Sequence, residues 1–477
     1  MKTEYNASQL DFARLGTRQI LADFDGGDIS SDGGALLLRK TEQLTGVIRQ
    51  FADCFTDHRN PNLIEHSVDE LVAQRVYALA LGYEDLNDHD DLRADPLLAA
   101  VVGKQDPTGE SRSRMRDRGK ALAGKSTLNR LELSPAGARK ESRYKKIACR
   151  ARDVERLFVT LFLQAHAKPL ERITLDLDAT DDPIHGNQLG RFFHGYYKNY
   201  CYLPLYIFCG DHLLLARLRP ADIDASAGSV KHLERIVGQI REAWPDVKIT
   251  IRADSGFCRD EILSWCERNS VDYVIGPAQN KRLNAMIAAE QEQARQEFER
   301  TAQPSRIFAD LRYRTLDSWS RERRVAAKAE HLSKGANPRF AVTSLSIEER
   351  SARPLYEEDY CARGEMENRI KEQQLHLFAD RTSAGTMRAN QVRLFCSSIA
   401  YVLLNALRRL GLSGTELAES QCQTIRLKLL KIGAFVRVTV RKVWVKLSSG
   451  CPYAEVFRRV YANLARLPAF AAWSGSE

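Results

Sequence analysis

Two aspartates, Asp176 and Asp178, alternate with Leu175 and Leu177 in a short apolar segment. Side chains alternate between the two faces of a β-strand, so we expect the leucines to face a core and the aspartates to share the other face. Carboxylates roughly 6 to 7 Å apart on one face repel each other unless a cation or a proton intervenes. The pattern favours a divalent metal site, although a solvated edge strand with incidental acids gives the same alternation.

A third aspartate, Asp254, ends a second predicted strand over residues 247–254 and precedes a helical stretch over residues 259–268. The carboxyl ends of strands are where open α/β sheets bind their ligands. Taken alone, Asp254 is equally typical of a turn or a helix cap. Asp254 becomes informative in combination with Asp178, because two such strands would supply two acids to one site.

One more carboxylate, Glu367, lies in a predicted helix. Residues three, four or seven apart share one face of a helix. The face that carries Glu367 also carries four other polar side chains: Tyr360, Arg363, Lys371 and Gln374. A solvated helix with Glu–Lys pairs has the same spacing, so the helix alone does not indicate a site. Together with the two strands, it offers a third carboxylate that suits a metal ion.

These three motifs resemble those of insertion-sequence transposases with an aspartate-aspartate-glutamate (DDE) triad. The matching features are Asp178-x-Thr180, the Ala-Asp-Ser-Gly-Phe of residues 253–257, and the Tyr-x-x-Arg-x-x-x-Glu that ends at Glu367. The resemblance to one bacterial branch of this group covers nearly the whole chain. It includes residues 74–88, 122–132 and 380–391.

The resemblance implies that Asp178, Asp254 and Glu367 are both the catalytic residues and the metal ligands. It also implies two Mg²⁺ ions per site, with Mn²⁺ as a substitute. Carboxylate oxygens suit such hard cations, and paired ions can activate the attacking oxygen and stabilise the leaving oxygen in phosphoryl transfer.

The resemblance further implies DNA contacts from the helix residues Tyr360, Arg363 and Lys371. One position departs from the family pattern, because such transposases often carry lysine seven residues after the glutamate. This chain has Gln374 there, and Lys371 lies one turn earlier. We therefore expect Lys371 to take over the contact that the lysine would make.

The predicted fold class is α/β, with a ribonuclease-H-like mixed sheet implied by the resemblance. The local sequence agrees, because Gly210 and Asp211 join two apolar runs in the manner of a β-hairpin. A helix over residues 229–244, the strand before Asp254, a helix and a strand over residues 271–276 follow. In that arrangement the first and fourth strands are neighbours, which would bring Asp178 and Asp254 together.

Four regions are predicted along the chain. They are a mainly helical, basic DNA-binding region (1–165), the catalytic domain (166–281 and 360–411), a β-rich insertion (282–359) and a basic helical/β C-terminal region (412–477). The insertion is expected because the chain between Asp254 and Glu367 is too long for one connection. Its strands are predicted over residues 306–314, 323–332 and 339–345. Trp319, among several arginines, suits stacking on an unpaired DNA base, although packing in a core is the commoner role of tryptophan.

The charge of the chain is consistent with DNA binding. Lys and Arg number 71 against 62 Asp and Glu, which gives a net charge of +9. Basic residues concentrate in the stretch 101–150 and in the tail 426–446, and such clusters are typical of phosphate-binding surfaces. A charged run is also an ordinary solvated surface. The arginines predicted to contact DNA are Arg112, Arg114, Arg116 and Arg118.

Several classes of site and location are not expected. Ten cysteines occur without a Cys-x-x-Cys pair, which argues against structural zinc. Residues 1–20 lack the apolar core of a secretory signal, and the chain has no run of about 20 apolar residues that would span a membrane. The predicted location is the bacterial cytoplasm, at the nucleoid.

The predicted function is that of a DNA transposase, which performs Mg²⁺-dependent strand cleavage and strand transfer at the ends of an insertion sequence. Its partners would be double-stranded DNA, at terminal inverted repeats and target, and a second copy of the chain in the active complex. Two alternatives stay open. Asp176-x-Asp178 also suits a haloacid-dehalogenase-like phosphatase with an aspartate nucleophile, and a transposase derivative can bind DNA without cutting it.

Overall fold

The structure, a computed structural model, describes residues 9–468. Its strands, in chain order, are β1 Leu10–Leu15, β2 Arg18–Ala22, β3 Ile29–Ser30, β4 Phe55–Asp57, β5 Ile147–Cys149, β6 Arg172–Ala179, β7 Asp182–Pro183, β8 Phe192–His194, β9 Asn199–Tyr202, β10 Leu205–Cys209, β11 His212–Arg217, β12 Lys248–Ala253, β13 Asp272–Ile275, β14 Ser305–Tyr313, β15 Arg323–Leu332, β16 Gly335–Ala336, β17 Arg339–Thr343, β18 Ala434–Val438 and β19 Val443–Leu447.

The α-helices are α1 Ala35–Thr45, α2 Val47–Ala52, α3 Val68–Leu81, α4 His89–Leu92, α5 Pro96–Val102, α6 Lys125–Glu132, α7 Ala151–Gln164, α8 Ser229–Ala243, α9 Asp260–Arg268, α10 Lys281–Met286, α11 Ala288–Thr301, α12 Ala352–Pro354, α13 Gly364–Lys371, α14 Met387–Leu410, α15 Cys422–Ile425 and α16 Ala454–Ala465. Within residues 9–468, none of these helices has the length and apolar character needed to cross a membrane.

The chain divides into two compact units. A terminal unit contains the described residues up to Ala52, Arg59–Leu131 and the described residues from Ala406 onward. A central unit contains Asp53–His58 and Glu132–Asn405. Most of the N-terminal region and the C-terminal region, which were predicted as two separate regions, thus belong to one unit.

A mixed sheet forms the core of the central unit, with β6 in its interior. Strand β6 pairs with β10 in antiparallel fashion and with β12 in parallel fashion. Leu175 and Leu177 on β6 are fully buried in the core, as their alternation predicts. The helix α8 covers this core with Leu233 and Ile236, which recur at helical spacing and are also fully buried. The predicted α/β class is confirmed.

The strand order places the two predicted site strands side by side. The path through the sheet runs β11-β10-β6-β12-β13 and continues through β17-β15-β14. Strands β10 and β11 form the hairpin predicted around Gly210 and Asp211. Ala253, the last residue of β12, is aligned with Leu177 on β6. The first and fourth strands are therefore neighbours, as expected.

The inserted region adds strands to this same sheet. Strands β14, β15 and β17 lie close to the three predicted segments, and α10 and α11 precede them. Strand β17 pairs with β13 through Val274 and Thr343, so the sheet continues from β13 into the insertion. The sequence indicated the strands but gave no signal of this pairing.

The terminal unit is mainly helical, with short strands. Helix α3 begins with a capping box, in which Ser67 and Glu70 satisfy each other's backbone N–H groups. Strands β18 and β19 form an antiparallel hairpin, and β3 pairs with β18 at its edge.

Candidate active site

Asp178 and Asp254 lie beside each other at the carboxyl ends of neighbouring parallel strands. Asp178 is the penultimate residue of β6, and Asp254 immediately follows β12. Burial and the nearby negative charge of Asp254 raise the pKa of Asp178 to about 7. Asp254 also accepts a hydrogen bond from the Gly256 N–H, at 2.9 Å, and so begins the turn after its strand. The sheet register thus brings the two aspartates together.

Arg363 lies between Glu367 and Asp178 and is close to both carboxylates. The Arg363 Nη2 atom lies 3.0 Å from Glu367 Oε1, four residues later in the chain. Its Nη1 atom lies 3.9 Å from Asp178 Oδ2. The negative charge of Glu367 contributes to the raised pKa of Asp178, whereas Arg363 opposes it. The three acids and one arginine therefore form one electrostatically coupled cluster.

The helical segment that carries Glu367 is not one uniform α-helix. A π-helical turn spans Leu355–Tyr360, a 3₁₀ turn spans Cys361–Arg363, and a second π-helical turn spans Glu372–His376. The segment therefore departs from the single regular helix that the sequence predicts, because π and 3₁₀ turns change the angle between successive residues. The spacing of four between Arg363 and Glu367 still brings these two side chains into contact.

Tyr360 is held close to the carboxyl ends of β12 and β13. Its hydroxyl lies where a side chain of Gly276 would begin, since a Cβ atom on that glycine would stand 2.1 Å from Tyr360 Oη. Gly276 follows β13, and its N–H donates to the Ala253 carbonyl at 3.2 Å. The charge of Asp254 acts on the Tyr360 hydroxyl, whose pKa is raised mainly by burial. The absence of a side chain at residue 276 thus permits the position of Tyr360.

Asp176 is neutralised by a protein cation. Arg252, aligned with Asp176 on the adjacent strand, contacts both of its carboxylate oxygens, with Nη2 at 2.8 Å from Oδ2. Arg252 also donates to the Asp359 carbonyl at 2.7 Å. The expectation that Asp176 and Asp178 share a metal ion is therefore corrected, because Asp176 is 4% exposed and already paired.

Gln374 makes contacts that its sequence position did not predict. Its side-chain amide donates to the Asp181 carbonyl at 3.1 Å and to Asp182 Oδ1 at 3.0 Å. The contacts link the helical segment of Glu367 to the loop after β6. Lys371, predicted to replace the family lysine, is exposed at the end of α13.

Trp319 lies in the core. It is 3% exposed and packs edge-to-face against Tyr313, with ring centroids 5.6 Å apart. The Arg323 guanidinium lies 5.5 Å from the Trp319 ring centroid and is itself held by Asp260. The interpretation of Trp319 as a stacking platform for DNA is therefore replaced by the packing role, since its ring is covered.

The four arginines predicted to contact DNA, which lie in the terminal unit, differ in their surroundings. Arg112 is partly buried, with Nη2 3.2 Å from Glu65 Oε2 and Nη1 donating to the Lys120 carbonyl at 3.1 Å. The other three, Arg114, Arg116 and Arg118, are exposed. Arg112 thus maintains local structure, whereas the exposed three are accessible to a phosphate backbone.

The donor chemistry of the triad suits a hard divalent cation. Within residues 9–468, no group of three or more His, Cys, Asp and Glu side chains is arranged to hold a metal ion as it stands. The acids Asp178, Asp254 and Glu367 offer only carboxylate oxygens, the ligands that Mg²⁺ prefers. Burial is the main cause of the raised pKa of Asp178, and the negative charges of Asp254 and Glu367 add to it, whereas Arg363 opposes it. The cluster therefore fits a cation that would relieve this repulsion.

Comparisons with known proteins identify the family of the chain. No match is found among curated proteins. Residues 12–469, nearly the entire chain, match the family described as Transposase DDE domain group 1. The match extends over both the strands and the helix that carry the clustered acids. The chain therefore belongs to the family of DDE transposases.

Proposed function

We propose that the protein is a DNA transposase that performs Mg²⁺-dependent strand cleavage and strand transfer at the ends of an insertion sequence. The observation that carries this proposal is the cluster of Asp178, Asp254 and Glu367, in which burial and, to a smaller extent, the charges of the other two acids raise the pKa of Asp178. Perturbed carboxylates of this kind concentrate at catalytic sites. Family membership supports the same reaction class.

The proposed catalytic fold is ribonuclease-H-like. The strand order β11-β10-β6-β12-β13 supports this fold. Strand β10 pairs in antiparallel fashion with both β11 and β6, whereas β12 pairs in parallel fashion with both β6 and β13. The acids Asp178 and Asp254 then lie where ligands bind in sheets of this kind, at the carboxyl ends of adjacent strands.

Asp178, Asp254 and Glu367 would hold the metal ions. When bound, two divalent ions activate the attacking oxygen and stabilise the leaving oxygen of a phosphodiester. Arg363 holds Glu367 close to Asp178 and offers its remaining N–H groups to a phosphate. Tyr360, packed against Gly276, fixes the segment from which Arg363 projects.

The DNA-binding surface proposed for the active site consists of Tyr360, Arg363 and Lys371. A second surface, in the terminal unit, consists of the exposed Arg114, Arg116 and Arg118. Lys and Arg side chains neutralise backbone phosphates without reading sequence. The partners are double-stranded DNA, at terminal repeats and target, and a second copy of the chain, because joining two ends calls for two sites. The reaction takes place where the bacterial chromosome lies, in the cytoplasm.

The phosphatase alternative loses support from the geometry of Asp176. An aspartate nucleophile must reach the phosphorus atom of its substrate, whereas Asp176 is buried and paired with Arg252. No observation favours this alternative over DNA cleavage.

The test uses linear DNA that carries the inverted repeats flanking the reading frame. We expect cleavage at the repeat ends with Mg²⁺ or Mn²⁺ and none with EDTA. Hydrolysis of p-nitrophenyl phosphate without DNA cleavage would support the phosphatase. Specific binding of the ends without any cleavage would identify a silent derivative. Either of these two results would refute the proposal.

A further inference from the structure

A small sheet with many aromatic side chains lies between β6 and β10. We call residues 183–202 the aromatic hairpin. It contains strands β8 and β9, and β9 also pairs with β7. The hairpin carries Phe192, Phe193, Tyr196, Tyr197, Tyr200 and Tyr202. It also carries Arg191, Lys198 and two histidines, but neither aspartate nor glutamate. The segment is therefore cationic and rich in rings.

Several of these rings are exposed to solvent. Phe193 is 57% exposed, Tyr196 is 83% exposed and Tyr200 is 49% exposed. Leu189 adds further apolar surface to the same hairpin, at 70% exposed. Exposed apolar surface that is gathered in one place marks a binding site more often than scattered single residues do.

Two of the rings meet edge-to-face, and a cation lies over one of them. Phe193 is directly opposite Tyr200 in the β8–β9 register, and their ring centroids are 5.6 Å apart. The Arg191 guanidinium lies 4.7 Å from the Tyr200 ring centroid. Arg191 is held there because Nη2 donates to Asn187 Oδ1 at 2.7 Å and Nη1 donates to the Gly186 carbonyl. One face of the hairpin thus presents two rings and an anchored positive charge.

The hairpin is tied to the end of the catalytic strand. The Tyr197 hydroxyl donates to the Ala179 carbonyl at 3.1 Å, one residue after Asp178. Asn199 Nδ2 donates to Asp181 Oδ2 at 2.9 Å. The charges of Asp181 and Asp178 both act on the Tyr197 hydroxyl. The aromatic hairpin is therefore fixed at the same end of β6 as the acids.

We propose that the aromatic hairpin binds unpaired nucleotides of a DNA end beside the catalytic acids, an inference that rests on the proposed transposase function. Exposed rings stack on base faces, which are accessible only where bases are unpaired, and neighbouring cations bind the phosphates. Phe193 and Tyr200 supply the ring surface, and Arg191 and Lys198 supply the charge.

The same surface is poorly suited to pairing with a second copy of the chain. A two-fold interface places one patch against its own copy. Arg191 and Lys198 would then approach the same cations of the other subunit, and the hairpin offers no acid to pair with them. The charge of the hairpin thus favours a nucleic acid.

The test measures the binding of fluorescein-labelled oligothymidylate of about 12 nucleotides, a length typical of single-stranded sites. Fluorescence anisotropy with EDTA present gives the dissociation constant without cleavage. We expect Phe193→Leu and Tyr200→Leu each to weaken binding about fivefold or more, because leucine keeps apolar bulk but has no ring to stack.

Two control variants separate stacking from other effects. Tyr200→Phe keeps the ring and is expected to bind as the wild type does. Tyr461→Leu removes a ring of the terminal unit that is as exposed as Phe193, at 57%, and is expected to leave the affinity unchanged. If either hairpin variant fails to fold, Tyr196→Leu at the exposed tip replaces it, with weaker binding again expected.

The outcomes distinguish this inference from the proposed function, because oligothymidylate contains no transposon end. Ring-dependent binding without cleavage of transposon ends would refute the transposase activity and leave single-strand binding in place. Unchanged affinity in the leucine variants would overturn the inference even if the protein cleaves DNA. If the leucine variants keep the wild-type affinity but sediment with a lower mass than the wild type, the inference would be overturned in favour of an interface between two copies.

Discussion

The Gln374 side-chain amide lies 3.0 Å from Asp182 Oδ1, across 192 positions of the chain. Asp182 is fully buried, and burial raises its pKa well above that of an ordinary aspartate, whereas the hydrogen bond from Gln374 lowers it. Within residues 9–468, its Oδ2 atom has no hydrogen-bond partner. The contact connects the helical segment that carries Glu367 to the loop after Asp178. We expect Asp182 to be neutral in the folded protein.

The pH dependence of stability tests the protonation of Asp182. An aspartate in the unfolded chain releases its proton near pH 4. The folded state retains the proton, so the free energy of unfolding falls as pH rises above that value, by up to about 1.4 kcal/mol per unit. Asp182→Asn cannot titrate but keeps the acceptor oxygen. We therefore expect its urea midpoint to exceed that of the wild type progressively as pH rises above about 5. Parallel pH profiles would contradict a buried neutral acid.

Asp176 and Asp178 should respond oppositely to removal of their charge. Asp176→Asn leaves the partly buried Arg252 without its carboxylate, which should lower the free energy of unfolding by up to about 3–5 kcal/mol, the cost of breaking a buried pair. Asp178→Asn removes a carboxylate whose charge is disfavoured by burial and by repulsion from Asp254, which should raise the free energy of unfolding by about 1–3 kcal/mol at neutral pH. Urea denaturation of both variants in EDTA gives the comparison. Equal destabilisation by the two substitutions would contradict the assigned pairings.

The close approach of Tyr360 to Gly276 predicts a coupled pair of substitutions. Gly276→Ala should destabilise the protein by about 1–3 kcal/mol, because the new methyl group meets the Tyr360 hydroxyl. The double variant with Tyr360→Leu should be less destabilised than the sum of the single variants. Gly364→Ala is the control, since nothing lies within 4 Å of a Cβ atom there. Strict additivity in urea denaturation would argue against the close approach.

The exposed arginines of the terminal unit are expected to contribute to the salt dependence of DNA binding. Replacing Arg114, Arg116 and Arg118 together by glutamate should weaken binding. It should also flatten the slope of log K against log salt by about 0.9 for each phosphate that the protein no longer neutralises. Arg112→Glu should instead destabilise the fold, because Arg112 is paired with Glu65. An unchanged slope in the triple variant would remove this segment from the DNA-binding surface.

The sequence predicted the elements of the site better than their contacts. The alternation around Asp178 and the apolar run before Asp254 were sufficient to locate two buried strands. Their parallel pairing followed from the predicted order of elements. By contrast, the pairing of Arg252 with Asp176 depends on the register between strands 76 residues apart, which local periodicity does not contain.

The environments of individual side chains were also not accessible from the sequence. A tryptophan among arginines has the same local pattern whether it is exposed or buried, and only the packing of Trp319 against Tyr313 decides between the two. The π-helical turns around Glu367 leave no distinct sequence signal. The aromatic hairpin has a readable composition, six rings in residues 183–202 with no acid, but its position beside Asp178 comes from the hydrogen bond of Tyr197 to Ala179.

The most direct measurement compares Glu367→Gln with Glu365→Gln in Mg²⁺-dependent cleavage of DNA that carries the terminal repeats. Glu367 contacts Arg363 beside Asp178, whereas Glu365 is 72% exposed and lies near Arg369. We expect Glu367→Gln to lose cleavage as completely as Asp178→Asn and Asp254→Asn do, with DNA binding largely retained, and Glu365→Gln to cleave as the wild type does. Full cleavage by Glu367→Gln, or loss only in Glu365→Gln, would contradict the assignment of the three acids.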